Sequence, residues 1–262
     1  MGKGVNGVYD IGIVVTAHYS EKLRKHGREY LGSMVSSVEK HTNIRYKIFV
    51  MDNESEIPFE SNDRYEVTRF ENQTKEGLSR TWNHGAKLAY ESGCQVTVIC
   101  NDDLEFTETI NDLFEFCISN EDRQNSLIGP VSPNSLDWPQ RAPWPWSGKH
   151  PQGRHKNPRA FWHGRYLSAD GVVRDATHLK IGGRQFLLNG FCYAFHREFY
   201  EKFNVDGKLW NIDGTENKWG GEEDDLYYRC TPLGMRSLVY HRWFVEHQLI
   251  AGWWTLHFEV DK

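Results

Sequence analysis

Early in the chain, short runs of apolar, largely β-branched residues recur, and each one empties into a cluster of polar or acidic side chains. Residues 11–16 carry Ile11, Ile13, Val14 and Val15 and lead through Thr16 to Ala17, His18, Tyr19 and Ser20. Residues 46–51 lead to Asp52, Asn53, Glu54 and Ser55, and residues 95–100, with Val96, Val98 and Ile99, lead to Asn101, Asp102 and Asp103. Short runs without polar alternation are the pattern of parallel strands covered by helices on both faces. The intervening segments agree. Leu31, Met34, Val35 and Val38 recur at helical spacing, residues 78–89 read as a second helix closed by Gly93, and residues 65–70 alternate weakly as a further strand. In such sheets ligands gather beyond the carboxyl ends of the strands. The polar clusters are therefore expected along one edge.

The rest of the chain is less regular. A helix is expected over residues 108–119 with Thr107 as its cap, then a short strand over 127–131. Residues 138–165 contain no acidic residue, interleave Trp138, Trp144, Trp146 and Trp162 with Arg141, Lys149, Arg154, Lys156, Arg159 and Arg165, and carry five prolines. Proline at that density excludes regular helix or sheet. Indole faces and cations suit the wall of an acceptor site, or a gripped single strand of nucleic acid; the bland alternative is tryptophans that pin a long loop to the core. Residues 186–195 read as a strand interrupted at Asn189 and Gly190, where backbone must approach something closely. A short helix over 196–203 follows, and residues 207–218 form a Gly-containing approach that is a candidate for movement. Four consecutive carboxylates, Glu222, Glu223, Asp224 and Asp225, then stand between Gly220-Gly221 and Leu226. Acids at a helix N-terminus complement its dipole, but four together raise one another's pKa. On a helix opening at Glu222, Glu223 shares a face with Leu226 and Cys230, and Asp224 and Asp225 turn away. Gly234 ends that helix, and a strand over 237–240 precedes His241 and His247.

The run Trp219-Gly220-Gly221-Glu222-Glu223-Asp224-Asp225-Leu226 resembles the acidic motif of β-1,4-galactosyltransferases and the shorter Glu-Asp motif of family 2 glycosyltransferases, and Asn101-Asp102-Asp103 is similar to their Asp-x-Asp signature. The resemblance follows most of the chain in order. It implies a GT-A fold, an α/β domain with a mainly parallel central sheet flanked by helices, here one domain over 1–262. About 1–129 would form the nucleotide-sugar-binding half and 130–262 the acceptor-side half with the acidic helix. It also implies an inverting glycosyltransferase that moves a sugar from a nucleotide-sugar, UDP-sugar by default, to an acceptor hydroxyl with Mn2+ or Mg2+. Residue by residue, the resemblance makes Glu223 the catalytic base, with Asp224 as the alternative because the family usually has Asp in this place. Asp103 and His247 become metal ligands, His247 lying about twenty residues beyond the motif and being preferred to His241. Asp52 would contact the nucleotide base, Asp102 the ribose or donor sugar, and Gly190 would run under the donor sugar; Thr16, His18, Tyr19, Asn53, Arg80 and Asn101 complete the nucleotide-sugar set. Trp219, Gly221, Glu222 and Asp224, with Trp144 and Trp146, would meet the acceptor, a glycan, a glycoprotein or another hydroxyl compound.

Composition sets outer bounds. A length of 262 residues suits one large domain. The net charge of −5 argues against a surface that coats nucleic acid generally. No stretch approaches the about 18 apolar residues of a membrane helix, and the polar start is unlike a signal peptide. Five scattered cysteines read as buried thiols in a reducing compartment. A cytoplasmic protein of bacterial or viral origin is the expectation. Other functions stay open: a transferase of the same chemistry acting on DNA or glycoprotein, a sugar nucleotidyltransferase, whose Gly-rich basic loop after the first strand is missing here, and a nucleotide-sugar-binding module without activity.

Overall fold

A computed structural model describes residues 9–22, 24–71, 78–132, 140, 173–181, 183–216 and 221–247. The Trp/Arg-rich segment 138–165, apart from Gln140, lies outside the described residues, as do Trp144, Trp146, Trp219 and the segment 248–262.

The elements in chain order are β1 (Ile11–Ala17), α1 (Gly27–His41), β2 (Tyr46–Asn53), β3 (Glu66–Phe70), α2 (Ser79–Glu91), β4 (Val96–Asn101), β5 (Leu104–Phe106), α3 (Thr109–Ser119) and β6 (Ser126–Val131). There follow β7 (Val173–Asp175), β8 (Lys180–Ile181), β9 (Arg184–Gln185), β10 (Cys192–His196), α4 (Arg197–Phe203), α5 (Glu222–Cys230) and β11 (Arg236–His247). The main sheet has the order β3-β2-β1-β4-β10-β6-β11-β5, with β7 also on β11. β3, β2, β1 and β4 run parallel to one another, as their apolar runs lead one to expect. β10 enters antiparallel between β4 and β6, and β6 and β11 are again parallel. A strand from late in the chain therefore sits beside β4, and both halves of the sequence share one sheet.

Helices cover both faces. α1 places Leu31, Met34, Val35 and Val38 against β1 and β2 from one side, all essentially buried. Each such side chain contributes about 1.5–3 kcal/mol relative to exposure. Trp82 and Ala86 of α2 pack on the opposite face with Phe199 of α4 and Leu226 of α5. All five cysteines are buried and unbonded to one another.

Several local expectations change. The helix expected to be capped by Thr107 opens at Thr109 with Glu108 as its cap residue, which makes no side-chain capping bond. Residues 186–191 are an irregular arm and not the first half of a strand; the ladder begins only at Cys192, because Asn189 and Gly190 keep the preceding residues out of register. The segment before the acidic helix, read as a candidate for movement, is stapled along its described part. Buried Asn83 bonds the backbone of Leu209 and Trp210 through both ends of its amide. Asp225 accepts the Asn211 amide at 2.7 Å, and Arg229 reaches the Leu209 carbonyl. Finally, the last strand runs from Arg236 through His247, well beyond 240, with a register shift between Val239 and Phe244. Such an irregularity bends a strand. Beyond it, Val245, Glu246 and His247 pair with β5, which the sequence reading missed.

Candidate functional site

The bend in β11 brings two sequence-remote residues together. In the β11–β5 ladder His247 stands opposite Leu104, the residue after Asp103. Its Nε2 lies 3.4 Å from Asp103 Oδ1, and both side chains are nearly buried. That separation exceeds the about 2.7–2.9 Å of a tight charge-assisted hydrogen bond. It matches the roughly 3–3.5 Å between two ligands that each stand about 2.1 Å from one ion. A carboxylate oxygen and an imidazole nitrogen form a donor set better suited to Mn2+ than to a strictly oxygen-seeking cation such as Ca2+, the remaining positions being open to phosphate and water. Among the described residues no third His, Cys, Asp or Glu joins the pair. His241 lies elsewhere, buried on β11, with its pKa depressed to about 4 by burial first and by Arg174 second.

Asp102 is fixed differently. Arg24, from the segment after β1, forms an ion pair with it, and the backbone N–H of His18 bonds it. Burial pushes its pKa up to about 7 and Asp103 adds to the rise, against the pull of Arg24. Asp103 goes the other way. Burial raises its pKa, but the neighbouring His247 imidazole and Arg24 outweigh that and hold the carboxyl low. Sequence reasoning missed Arg24. The available signal was the basic run Lys22 to Lys25 directly after the first strand's polar end.

Glu223 is built from the other side of the sheet edge. Gly221, at φ +85°, opens α5 in the left-handed conformation that glycine adopts without strain, and its carbonyl accepts the Asp225 amide at 2.8 Å. The first turn then buries Glu222, leaves Glu223 half-buried and exposes Asp224. Glu223 thus occupies the inward-facing side, and Asp224, the alternative base, faces solvent. A Cβ on Gly190 would stand 2.3 Å from Glu223 Oε1 and 3.0 Å from the Trp82 ring, so any side chain here would displace the Glu223 carboxyl. The close approach expected at Gly190 is made by Glu223. Burial raises the pKa of Glu223, with Glu222 adding; the phenol of Tyr193 and the Gly190 amide oppose the rise.

Gly190 and Phe191 join the two parts. The Phe191 carbonyl accepts the Asn101 amide at 3.0 Å, and its ring stacks on His247 at 4.8 Å between centroids. Adjacent residues therefore touch Glu223 on one side and the Asp103–His247 pair on the other. The other expected site residues line or brace the same edge. Thr16 bonds Thr81 at 3.1 Å, and His18 Nδ1 meets the Asn53 carbonyl at 2.7 Å. Tyr19 is buried and bonds Glu21, and Arg80 is exposed above the Phe70 ring. Asp52 departs from its expected role of meeting a nucleotide base. It is fully buried, and its oxygens accept from the Ser55 and Phe59 amides and from Arg69. In this structure it braces the turn, because a buried carboxylate without such donors would be costly.

No family model and no curated protein matches the chain by sequence. Among solved structures, the crystal structure of GalNAc-T7 with UDP, GalNAc and Mn2+ is similar, with a TM-score of 0.57 and 17% identity over 93% of this chain and 44% of that one. The chain spans less than half of that protein's length. The likeness establishes the fold, which is GT-A: a mixed α/β domain with a central sheet flanked by helices.

Proposed function

We propose that the chain is an inverting glycosyltransferase that moves a sugar from a nucleotide-diphosphate sugar to an acceptor hydroxyl, with UDP as the nucleotide and Mn2+ or Mg2+ as the cation. The observation that supports this reading is the Gly190–Phe191 step, where one residue lies against a half-buried carboxylate and the next stacks on the histidine of an Asp–His pair. In this reading Glu223 accepts the proton of the acceptor hydroxyl as its oxygen attacks the anomeric carbon. Burial lifts the pKa of Glu223 toward working pH, which makes it a stronger base than an exposed carboxylate. Asp103 and His247 hold the cation, which when bound neutralises charge on the departing diphosphate. Asp102, steadied by Arg24, faces hydroxyls of the ribose or donor sugar. Gly221 and Asp224 at the head of α5 meet the acceptor in this reading; Glu222 is buried in the first turn and does not.

UDP, a UDP-sugar and Mn2+ are the first probes, since UDP, GalNAc and Mn2+ occupy the structure of the fold relative. At a UDP concentration about a hundredfold above Kd, binding stabilises a protein by about 2.7 kcal/mol. For a domain of this size that raises Tm by about 5–10 °C. The rise is expected with UDP plus Mn2+ and not with UDP plus EDTA. A screen of nucleoside diphosphates and their sugars with Mn2+ that moves Tm nowhere would end the reading.

Gly190→Ala isolates the aim of the base. The added methyl displaces the Glu223 carboxyl, the free end of a flexible side chain, and pushes lightly on Trp82. Stability is expected to fall by only about 1–2 kcal/mol, whereas turnover of a UDP-sugar falls about 100-fold, the cost of a misplacement near 1 Å. A parallel loss of kcat and Tm, with kcat restored below the melting range, would mean that the glycine serves folding alone.

A further inference from the structure

One buried ion pair at the sheet edge is only half made. Arg45 and Arg64 show the complete form. Arg45 sets Nε and Nη2 on the two Asp10 oxygens at 2.9 and 2.8 Å, and Arg64 does the same to Glu39 at 2.8 and 2.7 Å. Arg24 and Asp102, with side chains only 17% and 2% exposed, make a single contact between Nη2 and Oδ1. Arg24 Nε and Asp102 Oδ2 are buried without a hydrogen-bond partner. A buried pair left incomplete in this way is a poor brace. An unspent guanidinium N–H, however, suits a phosphate oxygen.

The loop after β1 fixes where this charge stands. The Arg24 amide donates to the Ser20 carbonyl at 2.8 Å, and the Arg24 carbonyl accepts the Gly27 amide at 3.0 Å. A Cβ on Gly27 would stand 2.2 Å from the His18 carbonyl oxygen, so the loop turns back tightly on the end of β1. The guanidinium lies 5.9 Å from the centroid of the Tyr30 ring and interacts with Asp103 as well as Asp102. A histidine that binds a metal is neutral. Among the described residues at this point, two carboxylates and one guanidinium therefore sum to −1. A divalent cation arriving alone would leave +1 among buried groups, and a proton on Asp102 would only raise the excess. The diphosphate of a nucleotide brings the sum back below zero.

We infer that Arg24 disfavours a lone divalent cation at Asp103 and His247, so that cation and nucleoside diphosphate are taken up together. The inference rests on Asp103 and His247 as the cation site of the proposed reaction. Arg24 opposes the bare cation by its charge and attracts the phosphates by the same charge. A guanidinium that merely braced Asp102 would act in the other direction, since its loss would misalign the carboxylate and weaken the cation.

The test is a titration of Mn2+ alone into the free full-length chain, followed by loss of the paramagnetic signal of the free ion. Arg24→Gln retains an N–H for Asp102 and loses the charge; Arg24→Lys retains the charge. Arg24→Gln is expected to bind Mn2+ at least about tenfold more tightly than wild type, the scale of one unit charge near a divalent ion away from bulk water. Arg24→Lys is expected to stay near wild type. Saturating UDP is expected to tighten Mn2+ binding about tenfold less in Arg24→Gln than in wild type. Unchanged or weaker binding of Mn2+ alone in Arg24→Gln would overturn the inference. Should Arg24→Gln fail to fold for want of a partner for Asp102, the comparison moves to Asp102→Asn, where no charge is orphaned. Adding Arg24→Gln there is expected to tighten Mn2+ by the same factor, and no gain would equally overturn the inference. Absence of Mn2+ binding in every chain would overturn it together with the cation site. A gain in Arg24→Gln with no Tm response to UDP plus Mn2+ would support Arg24 as the guard of the cation and count against the proposed function. A Tm response without that gain would leave the function standing and remove the role of Arg24.

Discussion

Glu223→Gln is expected to lower kcat for sugar transfer by about 10²–10⁴-fold, the range of a lost general base, while UDP binding in the presence of Mn2+ is essentially unchanged. The amide keeps the shape and the contacts with Tyr193 and Gly190, and loses only the capacity to take a proton. Asp224→Asn, on the exposed side of the same turn, is the control and is expected to cost far less. The pH dependence follows from the sign of the shift. Glu223 works ionised, and burial raises its pKa, so the acid limb of kcat is expected above the ordinary range of an exposed glutamate. Activity is lost as pH falls through that raised value, and the residual rate of the Gln variant lacks the limb. Full activity in Glu223→Gln would remove Glu223 from the mechanism, and a large loss in Asp224→Asn would transfer the role.

Asp103→Ala acts on binding instead of proton transfer. Groups that merely support a metal ligand cost about 10–100-fold in metal affinity when removed. Loss of one of two converging ligands is therefore expected to weaken Mn2+-dependent UDP binding by at least about 100-fold. Binding in EDTA is expected to be the same in both proteins. Asp103→Asn, which preserves volume beside His247, separates loss of charge from loss of packing. Calorimetry with UDP, with and without Mn2+, reads both. Equal Mn2+ dependence in wild type and variant would exclude the Asp103–His247 pair as the cation site.

Much of this arrangement was legible before any coordinates. The runs ending at Thr16, Asp52 and Asn101 are continuous apolar strands, and that pattern leaves few alternatives to a parallel sheet with its polar ends aligned. The inward turn of Glu223 and the outward turn of Asp224 follow from helical periodicity once Gly221 fixes where the helix opens. What stayed hidden depended on contacts between distant segments. Asp52 carries the same polar signature as Asp102, yet one braces a turn through Ser55, Phe59 and Arg69 while the other is paired by Arg24. Local composition does not distinguish a carboxylate that is satisfied by its own loop from one held for a ligand. The full length of the final strand is not legible in the sequence because the irregularity after Val239 breaks its pattern.

By itself, the sequence determined the class of the fold, the edge at which polar residues collect and which face of the acidic helix looks inward. These follow from side-chain periodicity and backbone preference, which act over a few residues. It took the packed domain to show that His247 and not His241 stands beside Asp103 and that Gly190 lies against Glu223. Each is a matter of register between strands or of close approach between segments far apart in the chain, and such pairings are settled by packing the whole domain at once.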